Sequence, residues 1–429
     1  MPIVVLLLDG LGDRAYPELG GRTASEAAHI PHLDGLAARG ASGLLHPLGR
    51  ARAPSSDVAH WAILGGHPDE FPGRAVFEAL GRGQRVDPAD VYAYAALRPA
   101  EYREGALWVT GRAGREDAAD AAQLLECVAH REVDGHDFDL TDVTRGEAIL
   151  RIRGEGCDAV TDSDPFFTDL HPVLQPTAIT PAAAGTAAAA TRWTRDVVRE
   201  LRSHPVNRAR AVGGLRPLNV VTLKWWGRRR PVPPFRARHG IEGVLIAASP
   251  FLAGLAEVLG LRFMHILDQD DPGTSYGVRI DAAAQLLRDG VQFLFCHSKA
   301  VDEAGHTKDA RNRVAALERL DTVLDKLDGP EFSGATVLVT GDHATPAVPG
   351  LIHSGDPVPF VLAGPAVRPD QVSSFGEEQC EQGRLGHLVG SDVMPTLLDA
   401  VDRSLFLGSR PTAAARPTGL PIDVVPLQP

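Results

Sequence analysis

The run VLVTGDHATPAVPGLIHSGDPVP at 337–359 constrains this chain more than any other stretch. Val337, Leu338 and Val339 are apolar without alternation, which calls for a strand covered on both faces, as in a parallel sheet flanked by helices. Asp342 and His343 follow at once, and a loop then supplies His353. Ligands in open α/β sheets collect beyond the carboxyl ends of such strands. Two further runs follow the same plan: VQFLFCH at 291–297 leads into Lys299, Asp302, Glu303 and His306, and IVVLLL at 3–8 ends in Asp9-Gly10. Asp302 and His306 stand four apart, so on a helical turn they share one face, as two ligands of one ion should. Asp and His without Cys suit Mn²⁺ or Zn²⁺ rather than Ca²⁺ or an iron–sulfur centre.

The 429 residues, 44% hydrophobic and 23% charged, can form one large globular domain or two. A net charge of -12 argues against nucleic acid or an anionic membrane as partner, so an anionic ligand has to be met by a local cluster of cations. Cys127, Cys157, Cys296 and Cys380 show no paired spacing and read as reduced thiols. The apolar run at 3–8 is too short for a signal sequence or a membrane span and has no basic flank. A cytoplasmic protein is expected; its oligomeric state is not readable.

In chain order, residues 23–39 have helical spacing, with Gly40 as the stop. Pro54-Ser55-Ser56-Asp57 precedes an apolar segment at 58–64, which puts Ser56 at or near a helix cap. Such a serine is commonly only an N-cap. Beside a metal ion the same hydroxyl becomes a nucleophile, its charge stabilised by the helix N-terminus and the cation. From 72 to 180 the apolar runs shorten and Arg, Asp, Gly and Ala dominate, the texture of a smaller inserted α+β domain. Strands are expected there over 91–97, 106–109 and 148–152, and a helix over 117–130. The Ala-, Thr- and Pro-rich stretch 180–191 reads as a hinge into a helix over 194–203. Residues 1–71 and 181–429 then form a discontinuous core domain, an α/β doubly wound and mainly parallel sheet, whose expected strands include 219–223, 243–246, 291–297, 336–339 and 358–362. The tail after Arg403 carries no motif.

Taken together, LLLDGLGDR at 6–14, SSDVAHWAILGG at 55–66, GRAVFEALGRG at 73–83, KAVDEAGH at 299–306, TGDHATP at 340–346, HSGDPVP at 353–359 and SDVMPTLLD at 391–399 resemble the archaeal-type cofactor-independent phosphoglycerate mutases of the alkaline phosphatase superfamily. The resemblance implies two divalent ions, manganese or zinc, and no organic cofactor. Carried over by position, Asp9, Ser56, Asp342 and His343 would hold one ion, and Asp302, His306 and His353 the other. Ser56 would take up the phosphoryl group as phosphoserine. The implied reaction interconverts 3-phosphoglycerate and 2-phosphoglycerate, with Arg112, Arg115, His130, Arg131 and Lys299 as substrate contacts. The alternative is a metal-dependent phosphohydrolase or phosphotransferase acting on another small phosphate or phosphonate metabolite.

The sequence departs from the family within the inserted domain. Where the family shows an acid and paired arginines, this chain has Thr110-Gly111-Arg112-Ala113-Gly114-Arg115, and the family's Arg-Gly segment reads Leu223-Lys224-Trp225-Trp226-Gly227. The missing acid removes a candidate for moving protons between the glycerate hydroxyls. Trp225 and Trp226 are either apolar filler or an aromatic wall for a larger ligand. His60, His297 and His387 read as structural histidines.

Overall fold

The computed structural model describes residues 1–154, 156–165, 168–404 and 427–428, so the tail at 405–426 lies outside the described residues. The chain divides into two compact units, Met1–Phe71 with Val232–Pro429, and Pro72–Pro231. No described helix is long and apolar enough to cross a membrane.

The first unit is built on an eight-stranded sheet. Its order is Arg262–His265, Gly243–Ala247, Phe293–Ser298, Ile3–Leu8, Thr336–Thr340, Val358–Ala363, Ala41–His46 and Gly386–Val389. The first five strands are parallel. Val358–Ala363 runs against both its neighbours, because the chain between Thr340 and Val358 is a loop without a crossover helix and a reversal needs none. The doubly wound, mainly parallel sheet thus carries one reversed strand. Ile3–Leu8, buried throughout, has Leu8 opposite Ser298 and Leu7 opposite Thr340. Whatever follows these three adjacent strands therefore emerges at one sheet edge.

The single helix expected over 23–39 is two, Ala24–Ala27 and Pro31–Ala38. Pro31 excludes the residue before it from helical geometry, and Ile30 sits at φ -130, ψ 61.

The second unit has its own antiparallel sheet, ordered His130–Val133, His136–Thr144, Glu147–Ile152, Val91–Arg103, Ala106–Val109 and His171–Pro172, with Leu218–Gly227 also paired to Val91–Arg103. Two expectations need correction. The stretch 180–191 is not a hinge: a helix, Ala184–Ser203, begins inside it, since alanine is the best helix former. The strand expected over 219–223 belongs to this sheet, not to the doubly wound one. The boundary therefore falls at Pro231 rather than 180. Trp193 of that helix is fully buried and stacks on Phe138, ring centroids 5.7 Å apart. The unit's two ends are adjacent, Arg228 N–H donating to the Pro72 carbonyl at 2.8 Å.

Candidate active site

Asp9 and Asp342 follow strands Ile3–Leu8 and Thr336–Thr340, while Asp302 lies in the helix Ala300–His306 just beyond Phe293–Ser298. Gly10 lets these loops close on one another. A Cβ there would lie 2.7 Å from Asp302 Cα, its φ is +70, and its N–H donates to Asp342 Oδ1 at 3.0 Å.

His343 is the centre of the cluster. Its Nε2 lies 3.0 Å from Ser56 Oγ, 3.2 Å from Asp342 Oδ2 and 3.4 Å from Asp9 Oδ1. Its ring stacks on His353 at 3.7 Å. Around Asp302 Oδ1, His306 Nε2 stands at 3.3 Å and His353 Nε2 at 3.8 Å. Among the described residues two groups bring ligand atoms within 4.8 Å of one another: Asp9 with Asp342 and His343, and Asp302 with His343 and His353. The geometry thus lets His343 face both sets, whereas His306, with 40% of its side chain exposed, stays at the rim beside Asp302.

These residues fit a divalent cation. Asp9 Oδ1 and Asp342 Oδ2 are buried without a hydrogen-bond partner. Burial, followed by repulsion from neighbouring carboxylates, pushes both acids up to about 7. Burial pushes His343 and His353 down to about 4, which keeps their ring nitrogens free of a second proton. Asp302 differs: burial opposes its ionisation, but the His306 hydrogen bond and nearby cationic groups hold it below the usual carboxylate range. Bonds of about 2.1 Å put ligand atoms about 3.0 Å apart at right angles and about 3.4 Å apart in a tetrahedron. The 3.0–3.4 Å spacings around His343 Nε2 match those edges.

Ser56 is not the cap. Ser55 holds the N-cap position of the helix Ser56–Ile63, and its hydroxyl bonds to Asp57 rather than to the helix backbone. Ser56 is the first helical residue, with its hydroxyl turned to His343.

Four residues at this site were not legible as functional. Thr345 Oγ1 donates to Asp302 Oδ1 at 2.8 Å and lies 3.0 Å from His343 Nδ1, so an Nδ1–H tautomer leaves Nε2 for the inner set. Arg313, fully buried, pairs with Asp13 at 3.1 Å and donates to the carbonyls of Gly10, Leu11, Gly12 and Thr345. His297 and His60, read as structural, lie directly behind Asp9 and Asp342. Burial pushes them down to about 3 and about 4, so both are neutral. Only Thr345 had a signal, a hydroxyl two residues after His343.

In the second unit the expected substrate contacts do not converge. Arg112, bonded to Asp169 at 2.7 Å, lines a cavity of about 220 Å³ with Arg98, Glu147, Asp164, Lys224 and Trp225. Arg115, His130 and Arg131 are not in its wall. His130 bonds to Asp139 at 2.7 Å and Arg131 pairs with Glu200, both on the unit's own surface. Lys299, in the first unit, is 46% exposed and 3.8 Å from Asp302 Oδ2. The tryptophan pair divides: Trp226 belongs to the core and Trp225 to the cavity wall, with Arg74 4.0 Å and Lys224 4.5 Å from the Trp225 ring.

A parallel sheet that gathers carboxylates, imidazoles and a helix-start serine at its carboxyl edge defines an α/β metalloenzyme. The model of the Metalloenzyme superfamily matches residues 1–400. Two curated relatives are the 2,3-bisphosphoglycerate-independent phosphoglycerate mutase of Methanopyrus kandleri and mutase 2 of Methanocaldococcus jannaschii. The first is 36% identical, covering 94% of this chain and 96% of the relative. The second is 33% identical, covering 96% and 95%. Among solved structures, a Pyrococcus horikoshii protein superposes with a TM-score of 0.78 at 27% identity, covering 95% of this chain and 99% of the other. The cofactor-independent phosphoglycerate mutase of Thermoplasma acidophilum gives 0.62 at 29%, covering 93% and 99%. The chain belongs to the 2,3-bisphosphoglycerate-independent phosphoglycerate mutase family.

Proposed function

We propose that the protein transfers a phosphoryl group through Ser56 and interconverts 3-phosphoglycerate and 2-phosphoglycerate. The observation that carries this reading is Ser56 Oγ, 3.0 Å from His343 Nε2 within a donor set short of positive charge. The names of the curated relatives support the same substrate. Asp9, Ser56, Asp342 and His343 would hold one divalent ion, and Asp302, His353 and His306 the other, with His343 facing both. Manganese or zinc suits these donors. When bound, the pair would neutralise the ester phosphate and acidify the serine hydroxyl.

Ser56 Oγ attacks phosphorus in line, the bond from phosphorus to the glycerate oxygen breaks, and phosphoserine forms. Return of the phosphoryl group to the other glycerate hydroxyl completes the isomerisation; return to water makes the enzyme a phosphatase. Arg112 and Lys299 are the remaining candidates for gripping the glycerate. Four free cysteines accord with a cytoplasmic setting.

A second reading, hydrolysis or transfer on another small phosphate or phosphonate, is favoured by Thr110 standing where the family has an acid and by the dispersal of Arg115, His130 and Arg131. Phosphorus NMR of the Mn²⁺- or Zn²⁺-supplied enzyme with 3-phosphoglycerate decides between them. We expect 2-phosphoglycerate without free phosphate, and Ser56→Ala to lower turnover at least about 10³-fold. Inorganic phosphate as the product would establish the second reading, and turnover retained by Ser56→Ala would remove the serine mechanism from both.

A further inference from the structure

The inner donors are backed by two histidines that phosphoryl transfer does not use. His297, in strand Phe293–Ser298, holds Nε2 3.1 Å from Asp9 Oδ2. His60 brings Nδ1 to 2.6 Å from the Ser56 carbonyl and 3.4 Å from Asp342 Oδ2. The two rings are 5.3 Å apart, and Phe251 and Phe295 each lie 5.9 Å from His60. His60 is wholly buried and His297 is 5% exposed.

A neutral imidazole N–H can fix a carboxylate without cancelling its charge, whereas a lysine or arginine in the same wall would compete with the cation. Asp9 is accordingly held by Oδ2 with Oδ1 turned to His343, and Asp342 is held through Oδ1 by Gly10 N–H with Oδ2 turned the same way. The outer side is more open to solvent. Asp302 accepts from Thr345 Oγ1 at 2.8 Å and His353 Nδ1 meets the Pro54 carbonyl at 2.8 Å, but the side chains of His353 and His306 are 16% and 40% exposed.

We propose that His297, which fixes Asp9, and His60, which fixes the Ser56 carbonyl, are positioning residues that make Asp9, Asp342 and His343 a tight, first-filled cation position, leaving the Asp302 side weaker and exchangeable. The inference rests on the two-cation reading above and adds an order of filling to it.

The test is titration of the metal-free, full-length chain with Co²⁺ against a competing chelator, followed by visible absorption. Two steps are expected, their dissociation constants at least about tenfold apart. Asp9→Asn removes the tight step and Asp302→Asn the weak one, which assigns them. His297→Leu should weaken the tight step about 10- to 100-fold and leave the weak one within about threefold. His297→Gln, whose amide N–H can replace Nε2–H, should recover most of the loss. Should His297→Leu not fold, His297→Asn, too short to reach Asp9, gives the same contrast with His297→Gln. Two ions bound in one indistinguishable step, or a tight step unchanged by losing the His297 donor, overturns the ordering while the two-cation reading stands. A wild-type chain that takes only one ion overturns that reading instead.

Discussion

At the scale of single residues, Asp9 and Asp342 carry a pH dependence whose sign is fixed by their environment. Burial first, then neighbouring carboxylates, raise both to about 7 in the metal-free chain. A raised carboxylate pKa means that the protonated form persists to near neutrality, so below pH 7 a cation must expel a proton from the pair before it can bind. Apparent Mn²⁺ affinity should therefore fall by roughly tenfold per pH unit per displaced proton below pH 7 and level off above it. Equilibrium titrations at pH 5.5, 6.5, 7.5 and 8.5 check this; a flat profile would show that the pair is already ionised. The candidate ligands Asp9, Asp302, Asp342 and His343 were legible because each comes shortly after an apolar run whose burial can be read from composition. His297 was not, because it ends such a run itself, and only the register placing it opposite Leu7 shows that it lies beside Asp9.

At the scale of elements, Arg313 ties the helix Ala310–Asp321 to the loops that follow Ile3–Leu8 and Thr336–Thr340. Its guanidinium and the Asp13 carboxylate are both fully buried. Arg313→Met leaves Asp13 without its cation and the carbonyls of Gly10, Leu11 and Thr345 without this donor, so a loss of about 3–5 kcal/mol is expected. Urea denaturation of the metal-free chain measures it, and a loss below about 1 kcal/mol would mean that the loops are held by other contacts. The sequence could not show this role: ARNRVAALERLD reads as an amphipathic helix in which arginine belongs on the wet face. The first half of the helix Ala184–Ser203 was missed for a related reason, although its second half was expected. Low complexity suggested a linker, yet Ala187, Ala189, Ala190 and Trp193 are its buried side, a pattern that becomes visible only with the sheet they cover.

At the scale of the whole molecule, the placing of the second boundary has a direct consequence. A domain ending at 180 would lack both the helix that carries Trp193 and the strand Leu218–Gly227, which pairs with Val91–Arg103 from Tyr92 to Pro99. Val221, Leu223 and Trp226 would leave the core with that strand, and the backbone edge of Val91–Arg103 would be opened to other chains. A fragment spanning 72–231 keeps the entire cluster, and its two ends already lie side by side, as an inserted unit requires. Expressed alone, 72–231 should unfold in one cooperative urea transition, while 72–180 should show no cooperative transition or aggregate. Circular dichroism against urea decides it. Cooperative folding of 72–180 would restore the earlier boundary, and failure of 72–231 would mean that its core is not sufficient without the rest of the chain.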